Sequence, residues 1–406
     1  MVDLRIERSI LFRMPHSRRQ SATWLAGILF ACLVFATSPI RAHAASAWAS
    51  GFFSAGAPRE LKDAPGIREW SYLSAVGRSP FDKIGLHRLD RGLTPPVHPD
   101  AVVLYLPGTN MNGEIALENP RYSFQVYLAQ QGIDVWSMDY RTHFIPPATP
   151  QSDLSELANW TNNLFESDIN RAVEYICRIT GRKKMFIAGF SRGGEFAYLY
   201  AATHPDRVQG IIALDGFIAV GPLMWGPMQP GHYADDIGGA HLTYEKRKKL
   251  IQMVIENPNQ PAPIPKYKTA GENLEHVLYD SGGFFGGHGG LANPQGGCSS
   301  VSVLAHLLIG YDRYWPAIQD HEVPFPIPRL AALKKTKIPV IAFASTNISP
   351  HWAAEGKAAS KATGAAPADQ EFFAINGCGH LDVIAGNHSE KQVFAPTAAF
   401  IKRHLN

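Results

Sequence analysis

The chain has 406 residues, 45% of them hydrophobic, and a formal net charge of +3. That length can fill one large domain with an insertion, or two domains. Residues 1–44 carry six arginines against Asp3 and Glu7, so the remainder is close to −1, and it has no basic stripe with interleaved aromatics of the kind nucleic-acid binding needs.

Residues 1–44 read as an export signal. Arg5, Arg8, Arg13, Arg18 and Arg19 precede an apolar run over 24–35, and Ala42-His43-Ala44 offers small residues for cleavage. The run falls short of the roughly 20 apolar residues that a membrane-crossing helix needs. The expectation is an exported chain, periplasmic or secreted, with no stable membrane span after cleavage.

Residues 101–106 form an uninterrupted apolar run, the mark of a strand covered on both faces, and Pro107-Gly108-Thr109 ends it. Residues 132–138 give the next strand. From 154 to 179 the apolar positions Leu157, Leu164, Ile169, Val173 and Ile176 recur at helical spacing, and Gly181 closes the segment. Residues 184–188 predict a third strand, 191–203 its helix, and 208–214 a fourth strand. Strand and helix alternate with short connections, which predicts an α/β fold: a mostly parallel sheet with helices on both faces.

That rhythm stops over residues 217–330. Helices are expected only near 242–255 and 301–308. The run Lys246-Arg247-Lys248-Lys249 reads as a solvated helix face, and the glycine-rich stretch 282–297 lacks the lysine and spacing of a phosphate-binding loop. Strands resume at 338–344 and 371–375, and a helix near 397–404 finishes the chain. The expected organisation is a core over 45–216 and 331–406, with 217–330 inserted between two core strands as a cap or lid. Of the cysteines after residue 44, Cys298 and Cys378 could pair in an oxidising compartment and leave Cys177 buried in its helix, although spacing alone fixes no connectivity.

Gly189-Phe190-Ser191-Arg192-Gly193 lies between a predicted strand and a predicted helix. A serine on such a sharp turn is a candidate nucleophile, and it needs a histidine to take its proton and a partner to orient that histidine. His380, in the glycine-marked loop after the last strand, is the candidate base. Asp215, closing the strand after the nucleophile, is the candidate acid; Glu355 and the non-ionic Asn347, both beyond the 338–344 strand, stay open as alternatives. Asp382 reads as a loop stabiliser or helix cap. The charge of a tetrahedral intermediate calls for two donors, expected from the backbone N–H of Arg192 and of Thr109, with the Thr109 hydroxyl or the Asn110 amide as a further one.

Three stretches, Leu106-Pro107-Gly108-Thr109, Gly189-Phe190-Ser191-Arg192-Gly193-Gly194 and Gly379-His380-Leu381-Asp382, resemble the alpha/beta-hydrolase superfamily, a likeness that runs over about 86–404. Asp134-Val135-Trp136 and the run from Gly379 to Gly386 are similar to stretches of its acid lipase branch. That branch has a histidine where Pro107 stands and an acid where Asn347 stands, whereas an acid at Asp215 is similar to pancreatic-type lipases. The resemblance implies a serine hydrolase, an esterase or lipase acting on a small-molecule or lipid ester. An amidase, a peptidase, a carbon–carbon bond hydrolase and a non-catalytic binding protein on the same scaffold are the alternatives. The histidines are scattered, with no cluster at ligand spacing, so neither metal nor cofactor is expected. The oligomeric state is open.

Overall fold

The apolar runs become neighbouring strands of one ten-stranded sheet. The computed structural model describes residues 51–92, 98–218, 244–280, 290–316, 327–349 and 351–405. The strands are β1 (Phe53–Ser54), β2 (Arg59–Glu60), β3 (Arg68–Ala75), β4 (Lys83–Asp90), β5 (Val102–Leu106), β6 (Asp134–Asp139), β7 (Met185–Phe190), β8 (Val208–Leu214), β9 (Val340–Ser345) and β10 (Gln370–Ile375). Their order across the sheet is β1-β3-β4-β6-β5-β7-β8-β9-β10, with β2 also paired to β3. From β6 to β10 every pairing is parallel, whereas β4 joins β6 antiparallel and β3 and β1 continue that edge.

β5, β7 and β9 are buried at every position, as apolar runs covered on both faces require, and β6 is buried as well, its Asp134 and Asp139 paired with other residues. The helices are α1 (Phe124–Gln130), α2 (Asn162–Thr180), α3 (Arg192–Thr203), α4 (Tyr244–Glu256), α5 (Ala270–Asp280), α6 (Val301–Leu308), α7 (Ile327–Leu333), α8 (Trp352–Ala359), α9 (Asp382–Ala385) and α10 (Ala395–Arg403). Val102, Leu104 and Leu106 face Ile169 and Val173 of α2 and Phe196 of α3. Val103 and Tyr105, one step out of phase on β5, pack with Phe124 of α1, Phe400 of α10 and Leu304 of α6. Two cores thus sandwich the sheet, and the predicted α/β architecture is the observed one.

The structure departs from the sequence reading in several places. Helix α2 starts at Asn162 rather than near 154, because Thr161 caps it by accepting from Leu164 N; two 3₁₀ turns precede it. The antiparallel edge was not anticipated, since charged residues interrupt β3 and β4. Arg88 on β4 is instead buried and forks onto Asp134 at 2.8 and 2.9 Å. Helix α5 was also missed. Arg247 of the basic run is buried rather than solvated, and Lys248 donates to Ile309 O.

β8 and β9 pair directly, with Leu214 opposite Phe343, and the chain between them holds α4 to α7. Of the aromatic residues between β8 and β9, Trp315 is buried against Tyr140 and Phe165, and Phe217 packs on Trp352. Met224, Trp225, Met228, Phe284, Phe285 and His288, like residues 1–44, lie outside the described residues. No helix among the described residues is long and apolar enough to cross a membrane.

Candidate active site

Ser191 stands between β7 and α3 with φ 54° and ψ −123°, a backbone region that non-glycine residues seldom occupy. The turn closes only because its neighbours lack side chains. A Cβ at Gly189 would stand 2.0 Å from Gly193 O, and one at Gly193 would stand 2.0 Å from Leu106 O. Ser191 N donates to Leu214 O at 3.0 Å, which ties the turn to the end of β8.

Asp215 follows that end, at φ 49° and fully buried. Its Oδ2 lies 2.7 Å from Nδ1 of His380, so the carboxylate on this imidazole is Asp215. The His380 side chain is 17% exposed. Its ring lies 4.5 Å from that of Phe190, the residue before Ser191. Glu355 sits in the first turn of α8, where burial lifts its carboxyl above the usual range. Asn347 contacts backbone instead: Nδ2 donates to Gly377 O at 2.8 Å and its N to Cys378 O at 3.1 Å.

The loop carrying His380 is fixed from several sides. His380 N donates to Gly290 O at 2.9 Å, and Leu381 N to Leu291 O at 2.8 Å. Asp382 accepts from Gly379 N at 2.7 Å, from Asn293 N at 2.9 Å and from the Ser299 hydroxyl, and it opens α9. Cys298 and Cys378 form a disulfide, and Cys177 is free but only partly buried in α2 rather than buried as expected.

The loop after β5 lies against the serine, since a Cβ on Gly108 would meet Ser191 Cβ at 2.9 Å. Arg192 is the first residue of α3, and first-turn N–H groups have no partner inside their own helix. Its side chain runs to Glu195 and Asn162. Asn110, at φ 60°, spends its amide on Asp312 O at 3.1 Å and Arg313 O at 3.3 Å, so it is not a spare donor for substrate. Asn112 Nδ2 donates to Gly310 O at 2.8 Å, and Gly113 N to Asp139 at 2.7 Å.

Asp139 is itself held by a histidine that the sequence reading did not single out. His87 contacts Asp139 at 3.0 Å through Nε2 and Glu69 at 2.9 Å through Nδ1. Burial opposes a charge on this ring, but the two carboxylates outweigh it and raise His87 to about 10. Burial likewise opposes the Asp139 charge, and His87 overcomes it, holding the carboxyl down at about 2. His143 is half-buried on Asp312 at 3.0 Å and is raised to about 9, Asp312 prevailing over burial. A small cavity of about 40 Å³ is lined by Tyr105, Met111, Leu307, Tyr311 and Ile384.

A family model of the alpha/beta hydrolase fold matches residues 101–234. The crystal structure of a candidate lipase from Sulfolobus solfataricus superposes with a TM-score of 0.70 at 26% identity, covering 87% of this chain and 99% of that one. The chain is an alpha/beta-hydrolase-fold protein. Over 134 residues this hydrolase-fold chain is 25% identical to the poly(3-hydroxyalkanoate) polymerase subunit PhaC of Allochromatium vinosum, a match covering 33% of the chain and 35% of that protein. It is 27% identical over 176 residues to a "probable lipase" of Schizosaccharomyces pombe, covering 38% of each. The hydrolase-fold chain thus spans little more than a third of the length of the curated relatives it matches.

Proposed function

We propose that the chain is an exported serine hydrolase that cleaves carboxylic esters, as an esterase or lipase, through an acyl-enzyme intermediate. The observation that carries this reading is the 2.7 Å contact between Asp215 and His380 beside a serine on a positive-φ turn. Ser191 Oγ attacks the ester carbonyl while His380 Nε2 takes its proton, and Asp215 stabilises the imidazolium that results. The N–H groups of Arg192 and Thr109 receive the negative oxygen. Collapse expels the alkoxide, which takes the proton from His380. Water, deprotonated by the same ring, then releases the acid and restores Ser191.

Residues 217–330 serve as a cap that sets substrate size. Export through residues 1–44 is supported by the Cys298–Cys378 bridge, which persists in oxidising compartments.

Fluorophosphonate labelling tests the reading. The wild type is expected to react and Ser191→Ala to stay unlabelled; equal labelling of both, or none of the wild type, refutes it. Matched ester and amide substrates then separate esterase from amidase, and esters graded by acyl length measure the pocket.

A further inference from the structure

Asp215 has no exposed surface, and a carboxylate withdrawn from water needs donors in place of its hydration. It has four, two on each oxygen. Oδ1 accepts from Ser345 N and from Trp352 Nε1, each at 2.7 Å. Oδ2 accepts from Ser345 Oγ at 2.7 Å and meets His380 Nδ1 at 2.7 Å. Three of the four therefore come from two residues that neither touch the expected reacting atoms nor carry charge.

The fold explains why these two residues converge here. Asp215 N donates to Phe343 O at 2.8 Å, which extends the β8–β9 ladder by one step and brings the carboxylate level with Ser345 at the end of β9. The turn into α8 is closed by Trp352 N on Ser349 O and Ser349 Oγ, both at 3.2 Å, and this aims the indole back at Asp215. The indole also stands edge-on to His380, with ring centres 6.3 Å apart and planes at 80°. The chain after β9, where an acid was sought and Asn347 found, thus supplies donors to an acid on the neighbouring strand.

We propose that Ser345 and Trp352 are positioning residues which, through Asp215, fix the rotation of its carboxylate and hence the tilt of His380 toward Ser191. Cutting back Trp352 takes one of two donors from Oδ1, and cutting back Ser345 takes one of two from Oδ2. The carboxylate then turns about its Cβ–Cγ bond and the imidazole turns with it. The inference rests on the catalytic reading of Ser191, Asp215 and His380 proposed above.

The test uses the full mature chain with p-nitrophenyl butyrate as probe, in Trp352→Phe, Ser345→Ala and Ser345→Thr. Trp352→Phe and Ser345→Ala are expected to lower kcat about tenfold with KM within about twofold, the scale of a charge-assisted hydrogen bond partly lost in the transition state. Ser345→Thr, which keeps the hydroxyl, is expected to restore kcat. The downfield proton resonance of His380 Nδ1–H should move in Trp352→Phe and Ser345→Ala and return in Ser345→Thr. Unchanged kcat in both truncated variants, or a fall in kcat with the resonance unmoved, overturns the proposal. If Trp352→Phe does not fold, the serine pair decides alone. Fluorophosphonate labelling separates the two levels: an unlabelled wild type overturns the catalytic reading and this inference together, whereas a labelled wild type with unaffected variants overturns only this inference.

Discussion

Replacing Cys298 and Cys378 together by alanine opens a loop whose ends are 80 residues apart in sequence. Chain entropy for a loop of that size sets a ceiling of about 4.5 kcal/mol on the lost stability, and native bridges usually contribute about 2–5 kcal/mol. The local effect should be far smaller, because the His380 loop keeps its other ties. Asn347 N still reaches Cys378 O at 3.1 Å, Asn293 Nδ2 still reaches Gly377 O at 2.9 Å, and His380 N still reaches Gly290 O at 2.9 Å. A domain stable by about 5–15 kcal/mol survives the loss in water at 25 °C, so the site stays assembled. We expect the unfolding free energy in urea, followed by tryptophan fluorescence, to fall by about 3 kcal/mol. The fluorophosphonate labelling rate of the folded variant should stay within about threefold of wild type, under 1 kcal/mol on the barrier. Wild type treated with a phosphine reductant should behave as the variant does. Stability unchanged to within about 0.5 kcal/mol would refute the entropic argument. A labelling rate about 100-fold lower in protein that is still folded would refute the claim that hydrogen bonds hold the loop.

Asp215→Asn should lower kcat by about three to four orders of magnitude with the fold retained, and Glu355→Gln should stay within about twofold; ester turnover with circular dichroism checks both, and the reverse result moves the acid to Glu355. His87 has its proton affinity raised on folding, to about 10. Its contribution to stability is therefore fully present below pH ~6.5 and is lost as pH rises toward 10, at no more than about 1.4 kcal/mol per pH unit, so Tm should decline across that window and decline less in His87→Gln. Asp139 behaves oppositely, its contribution holding above pH ~3.8 and disappearing as pH falls through about 2. Asn110→Ala removes two donors to the 312–313 backbone and leaves an alanine at φ 60°, so stability should drop by about 1–3 kcal/mol with a clear loss of kcat; Asn110→Gly, free of the backbone cost, should keep more of the stability and still lose kcat.

The parallel part of the sheet was legible because its central strands are short and largely apolar, as at Val102–Leu106, Met185–Phe190 and Val340–Ser345. β3 and β4 were not, because Arg88 and its neighbours look like solvent-facing residues until Asp134, far along the chain, is brought beside them. The contact between Asp215 and His380 could be anticipated from one fact, an acid closing a buried strand next to the serine turn; its catalytic use remains our proposal. Ser345 and Trp352 gave no local signal, since a serine ending a strand and a tryptophan opening a helix are ordinary, and only the β8–β9 register unites them with Asp215. The same holds for the anchor of Gly113 on Asp139, which joins a loop to a strand. Sequence periodicity reports which face is buried, not which distant partner waits there.

The tie between Asn110 and the 312–313 backbone has an implication for engineering. Residues 310–313 belong to the stretch between β8 and β9, yet they receive the amides of Asn110 and Asn112, and Asp312 N returns a bond of 2.7 Å to Asn110 O. Grafting a different stretch between these strands would therefore also alter the loop beside Ser191. A chimera that aims only to change specificity should retain residues 310–313 from this chain, and a library that randomises them will mix altered selectivity with lost turnover.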